Sequence, residues 1–282
     1  MRVAHVTDIH VERRPSLAEL GNKRLAGAVV LYLLGRSAHF SRAAQAALVQ
    51  AVAALDVDVI LCTGDLTATA TEAEFLAAAA LFAPLRSRPF LCLPGNHAVY
   101  TDESLGRYQR HFGDDGIVAL SRHGAWDIVR LRDVRPDWLS RGEAGEAARG
   151  DLDRVLGDGD RPALVALHNP LRGRRAEPYG PATRALADAR EVEAVLARHA
   201  RVKLVVHGHE HHGYRTEIPR EGGGIVEIDP GAGGYAHLPG RGRTAHFCVY
   251  TLGADAIEGV ERFAFDGERF LPEAGGPFAS GG

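Results

Sequence analysis

The chain has 282 residues, 45% of them hydrophobic and 24% charged, enough apolar material for one large core or two small ones. A formal net charge of −3 argues against a general nucleic-acid binder, which needs a cationic surface. The three cysteines, Cys62, Cys92 and Cys248, each lie in an apolar run, so they read as small buried hydrophobes and not as a disulfide framework.

The chain opens on strand-like sequence, "MRVAHVTDIH", without the pattern of a secretory signal. "VAHVT" reads as a buried strand. The longest apolar run, Leu25 to Leu34, would span about 15 Å as a helix against about 30 Å of hydrocarbon, so it is not a membrane span. A cytoplasmic protein is expected. Ser41 N-caps a helix in "SRAAQAALVQAVAAL", and Thr71 and Glu74 stand at capping-box spacing in "TEAEFLAAAALFAPL". The strand "VDVILCT" lies between these helices, and "PFLCLP" follows the second. A helix is expected near Thr101 to Phe112, then irregular structure and short strands to 140. A further helix around Glu143 to Leu156 leads into the strand "ALVAL". "PATRALADAREVEAVLARHA" predicts a long helix with Pro181 in its first turn. "VKLVV" is again a strand. Beyond it helical periodicity gives way to strands in "GIVEID", "AHFCVYTL" and "IEGVERFAF". The expected organisation is one α/β domain over 1–270 with an insert at about 12–40, followed by a disordered tail over 271–282.

Each front strand ends in a polar group with metal-ligand chemistry. "VAHVT" runs into Asp8 and His10, "VILCT" into Asp65, "FLCLP" into Asn96 and His97, "ALVAL" into His168, and "VKLVV" into His207 and His209. Open α/β sheets gather their sites outside the carboxyl ends of the strands, so these groups are expected to converge. The set contains carboxylates, imidazoles and an amide but no thiolate, which suits Mn, Fe or Zn. A single zinc needs only three or four ligands. The larger number here is enough for two ions sharing a carboxylate, the arrangement that clamps a phosphoryl group during in-line displacement.

In this order the motifs D-x-H, G-D, G-N-H, H and G-H-x-H, read as Asp8/His10, Asp65, Asn96/His97, His168 and His207/His209, resemble the calcineurin-like metallophosphoesterases. The similarity is greatest to the bacterial branch that includes class III cyclic nucleotide phosphodiesterases. It implies a four-layer α/β/β/α sandwich of two mixed β-sheets flanked by helices. It also implies a phosphoesterase that hydrolyses phosphodiester or phosphomonoester bonds through hydroxide generated at two transition-metal ions. By resemblance, Asp8, His10 and His209 hold one ion, Asn96, His168 and His207 hold the other, and Asp65 bridges them. His97 then contacts the phosphate and protonates the leaving oxygen. Members of this family usually carry an acid after G-N-H; here that residue is Ala98. His211 and His212 lie just beyond the motif and read as a polar strand edge.

Two segments bear on the small-molecule phosphoester expected as substrate. Arg172, Arg174 and Arg175 follow His168 closely, and guanidinium groups suit phosphate. Residues 17–40 combine apolar and basic residues, which fits a core helix, a lid over the site or a peripheral membrane contact. A lipid-linked nucleotide pyrophosphate as substrate, or a non-catalytic scaffold, are the alternatives to the phosphoesterase reading.

Overall fold

The structure, a computed structural model, describes residues 1–15, 19, 36–137 and 139–279. Most of the insert expected to act as lid, membrane contact or core helix therefore lies outside the described residues. Two six-stranded sheets form the centre. The first is built around β1 (Arg2–Val6), which pairs in parallel with β2 (Val59–Cys62); β2 in turn pairs in parallel with β3 (Phe90–Cys92). On its other edge β1 pairs antiparallel with β10 (His246–Leu252), followed by β11 (Ile257–Phe265) and β12 (Phe270–Pro272).

The second sheet runs in the order β4 (Val118–His123), β5 (Trp126–Leu131), β6 (Ala163–Ala166), β7 (Val202–Val206), β9 (Ile225–Asp229) and β8 (Tyr214–Ile218). Both sheets are mixed. Their continuous apolar runs follow from having both faces covered. In β2, Val59 and Leu61 face the other sheet, while Ile60 and Cys62 face helices. In β6, Leu164 and Ala166 meet the first sheet, while Ala163 and Val165 turn to the opposite helices. Helices α1 (Arg42–Ala54), α2 (Glu72–Phe82) and α3 (Asp102–Phe112) cover the first sheet; α4 (Glu146–Gly157) and α5 (Ala189–Arg198) cover the second. This is the four-layer α/β/β/α sandwich. Ser41 caps α1, and Thr71 with Glu74 forms the capping box of α2. All three cysteines are buried and unpaired. Among the described residues, no helix is long and apolar enough to cross a membrane.

Two segments depart from expectation. The long helix predicted from Pro181 starts only at Ala189. Before it the chain makes a single turn on the Pro181 carbonyl and then runs beside Gly142, with Ala187 N–H donating to the Gly142 carbonyl at 2.9 Å. The Asp188 carboxylate accepts the N–H groups of Ala144 and Gly145 at 3.0 and 2.8 Å, so tertiary bonds outcompete helical ones. The start of the segment expected as a disordered tail is tied to the sheet. Residues 270–272 form β12, and Glu273 makes a buried ion pair with Arg262 at 3.0 Å.

Candidate metal centre

The loops that follow the strands fold tightly against one another. Asp8, His10, Asp65, His209 and His211 all take left-handed backbone conformations, with φ of 52°, 50°, 48°, 77° and 66°. After β1 the chain hydrogen-bonds to the loop beyond β2, with Ile9 N–H and His10 N–H both donating to the Asp65 carbonyl at 3.0 and 2.9 Å. Two glycines permit this approach. A Cβ on Gly95 would sit 2.2 Å from Asp65 Oδ1, and one on Gly208 would sit 2.0 Å from Thr7 Oγ1.

The side chains form two groups that could each hold a metal ion, and both include Asp65. The first contains Asp8, His10, Asp65 and His211. His10 Nε2 lies 3.7 Å from Asp8 Oδ1 and 3.7 Å from Asp65 Oδ2, and His211 Nε2 lies 3.3 Å from Asp8 Oδ1. The second contains Asp65, His168 and His209. Asn96 joins it, its Oδ1 lying 3.1 Å from His168 Nε2 and 3.0 Å from His209 Nδ1. Asp65 Oδ2 is 3.7 Å from His10 in one group and 3.5 Å from His168 in the other, between the two.

The remaining atoms of these side chains are tied down. Asp8 Oδ2 accepts from Thr7 Oγ1 and His209 N–H, both at 2.9 Å. Asp65 Oδ1 accepts the His97 N–H at 2.8 Å, and His168 Nδ1–H donates to the Thr63 carbonyl at 2.8 Å. Asp133 holds the His168 loop by accepting the N–H groups of His168 and Asn169 at 2.9 and 2.7 Å. Asp8 Oδ1 and His209 Nε2, by contrast, are fully buried without a hydrogen-bond partner. Orphaned buried polar atoms of this kind are expensive unless a ligand completes them. Burial alone would raise the Asp8 carboxyl, but His211 and His10 hold it well below the usual carboxylate range. Burial alone would lower His168, but the Asp65 carboxylate pushes it up to about 10. Burial and the charge of His168 push His209 well down. The donor set and its geometry fit two transition-metal ions.

His207, expected as a ligand, stands outside both groups, and His211, expected as a strand-edge residue, takes part in the first. The reason is register. His207 N–H still donates to Ile228 of β9 at 3.1 Å, so His207 continues the alternation of β7. Its side chain turns toward that neighbouring strand, with Nε2 3.2 Å from Glu227 Oε1. The chain leaves the sheet only at Gly208. The motif G-H-x-H therefore reads Gly208, His209, Glu210, His211, which places His209 in the second group rather than the first.

His97 lines the cleft and belongs to neither group. Its Nδ1–H donates to the Ala68 carbonyl at 2.7 Å, and the Tyr100 hydroxyl donates to the same carbonyl at 3.2 Å. The position of the usual acid, Ala98, is 1% exposed and packs in the apolar core. The orientation of His97 thus comes from the Ala68 carbonyl, with the Tyr100 hydroxyl 3.2 Å from the same nitrogen. Glu74 in turn fixes the segment bearing that carbonyl. Its buried carboxylate accepts Thr69 N–H at 2.8 Å, Thr69 Oγ1 at 3.0 Å and Thr71 N–H at 3.2 Å. Burial pushes the Glu74 carboxyl up to about 7, against the pull of these bonds toward the anion.

The cleft above the two groups has a volume of about 400 Å3. Asp65, Asn96, His209, His211 and Tyr235 are its buried residues, and His39, Ser140, Arg184, Glu210 and His212 are partly exposed around them. The three arginines expected to bind substrate do not line it. Arg172 is committed to Glu193 through Nε and Nη2, both at 2.5 Å. Arg174 lies over the Tyr214 ring at 5.9 Å, and Arg175 N–H donates to Glu177 at 2.9 Å. Arg184, which follows later in the same connection, lines the cleft in their place.

Two mixed sheets, flanking helices and paired groups of carboxylates and imidazoles at the strand ends define the architecture of a dinuclear metallophosphoesterase. The profile of the family described as calcineurin-like phosphoesterase matches residues 1–213, and the chain belongs to that family, which uses a dinuclear transition-metal centre. The fold is similar to a dimetal phosphatase from Danio rerio, with a TM-score of 0.64, 17% identity, and coverage of 96% of this chain and 98% of that one. It is also similar to purple acid phosphatase PPD1 from yellow lupin seeds, with a TM-score of 0.63, 14% identity and 96% of this chain covered. This chain spans about half of the lupin protein, 52% of its length. The NAD nucleotidase of Haemophilus influenzae shares the fold with a TM-score of 0.52 at 12% identity, covering 98% of this chain and 54% of that one. No significant match was found among curated proteins.

Proposed function

We propose that the chain is a dinuclear metal-dependent phosphoesterase that hydrolyses phosphodiester or phosphomonoester bonds, in keeping with its resemblance to the branch containing class III cyclic nucleotide phosphodiesterases. The observation that carries this reading is Asp65 Oδ2 lying between two separate ligand groups. Asp8, His10, Asp65 and His211 would hold one ion, and Asp65, Asn96, His168 and His209 the other. Mn, Fe or Zn suits these donors. When bound, the pair supplies Lewis-acid polarisation of phosphoryl oxygens and an acidified water.

The chain's own residues supply the rest. Asp65 and Asp8 fix the separation of the two groups through their bonds to His97 N–H and His209 N–H. The Ala68 carbonyl holds the proton on His97 Nδ1, so proton exchange with substrate runs through Nε2. His97 Nε2 would stabilise and protonate the leaving oxygen. The test is metal analysis after reconstitution, together with hydrolysis of bis-p-nitrophenyl phosphate and p-nitrophenyl phosphate. About two equivalents of metal per chain are expected, with both ions weakened in Asp65→Asn. An Asp65→Asn protein that retained both ions at wild-type affinity would refute the bridge.

A further inference from the structure

The cleft's chemistry is divided between its buried and its exposed parts. Asp65 and Asn96, 1% and 3% exposed, mark the floor where a reacting phosphoryl group has to lie. Arg184 stands higher on the wall, with 43% of its side chain exposed. Its Nη2 is anchored, donating to the His209 carbonyl at 3.1 Å and lying 3.2 Å from Glu210 Oε1. Glu210 also accepts the Tyr179 hydroxyl, so the carboxylate is shared between two donors. A guanidinium has five N–H groups in a rigid plane, and anchoring one nitrogen leaves Nη1 and Nε with donors along the cleft wall. Arg184 is the one Lys or Arg residue lining this cleft among the described residues.

We infer that Arg184 holds a second anionic group of the substrate, a phosphate or carboxylate adjoining the phosphoryl group that reacts. The anchor makes this more than a loose surface cation. Arg184 is braced against the backbone of His209, itself part of the second ligand group, so its distance from the reacting phosphoryl group is set by the same loop that sets the ligand. A braced guanidinium loses little freedom on binding an oxyanion. Its height on the wall points to a group beyond the phosphorus centre. The inference deepens the phosphoesterase reading and rests on it.

The test uses four probes: ethyl phosphate and AMP, which carry one anionic group, and phosphoglycolate and ADP, which carry a second. Binding is measured by calorimetry on manganese-loaded protein in a His97→Ala background that slows turnover, with Arg184 intact or changed to Gln or Lys. Metal content is verified for each protein. Arg184→Gln should weaken phosphoglycolate or ADP about 10-fold more than its single-anion counterpart, the worth of one charge-assisted contact. Arg184→Lys should recover part of the loss. A selective effect on phosphoglycolate identifies a carboxylate partner, and one on ADP a phosphate. Equal weakening of all four probes would reduce Arg184 to a strut for the His209 loop, and no weakening would remove it from the site; either result overturns the inference. If ethyl phosphate itself showed no metal-dependent binding, the phosphoesterase reading would fall and this inference with it.

Discussion

Glu74 gives a prediction whose sign and size follow from its surroundings. Its carboxyl has an ordinary value of 4.5 and is raised by burial to about 7 in the folded chain. The folded protein therefore binds this proton more tightly than the unfolded chain, and stability falls as pH rises through that window. Between about pH 5 and about pH 8, linkage with these two values amounts to a loss of about 2 to 3 kcal/mol. Glu74→Gln removes the titration. The glutamine oxygen can still accept the N–H groups of Thr69 and Thr71, which Oε2 accepts at 2.8 and 3.2 Å in the parent. Urea unfolding of both proteins at the two pH values isolates the effect, because every other titrating group cancels in the difference. The parent should lose about 2 to 3 kcal/mol relative to the variant on going from the lower to the higher pH. A stability gap that stayed constant, or that moved in the parent's favour, would show that Glu74 is ionised throughout.

Three further outcomes are expected. His211→Ala should leave about one ion per chain by elemental analysis while His207→Ala retains about two, because only the former lies in a ligand group; the opposite result would restore the other register. Ala98→Asp should cost about 3 kcal/mol in thermal or urea unfolding, since it places a carboxylate among buried apolar groups, and an unchanged melting temperature would contradict that environment. Asp133→Asn should cost about 2 kcal/mol and impair metal retention, because one of the two accepting oxygens becomes an NH2 that faces the N–H of His168 or of Asn169; full retention would show that His168 needs no such support.

Most of the architecture was legible because strand burial on both faces leaves an unmistakable apolar run, and because polar residues close each run. Asp8, His10, Asp65, Asn96 and His168 could be placed at one end of the sheets on that basis alone. The histidine cluster was harder. Whether His207 belongs to strand or loop depends on one ladder bond to Ile228, which sequence does not display. The pattern G-H-x-H did carry the answer, since Gly208 is the glycine that lets the loop pass Thr7 and Asp8. The arginines were misplaced because closeness in sequence to His168 says nothing of partners contributed by other elements. Glu193, on α5, claims Arg172. Which backbone carbonyl would hold His97 was likewise not visible, since Ala68 lies far from it in sequence, and the Tyr100 hydroxyl, 3.2 Å from His97 Nδ1, adds a side chain that no motif marks.

The left-handed backbone at Asp8, His10, Asp65, His209 and His211 has a consequence for how this fold can change over time. Such a conformation costs a non-glycine residue roughly 1 kcal/mol or more, less for Asp and His than for branched side chains. Over these positions the sum is about 5 kcal/mol, comparable with the whole net stability of an ordinary domain. The strands and helices must therefore be stable enough to hold the loops in shapes their own residues disfavour, and bound ions would return part of that expense. A lineage that ceased to need the ions would be released from it. Glycine or asparagine at positions 8, 10, 65, 209 and 211, appearing before any erosion of the strands, would be the trace such a loss leaves behind.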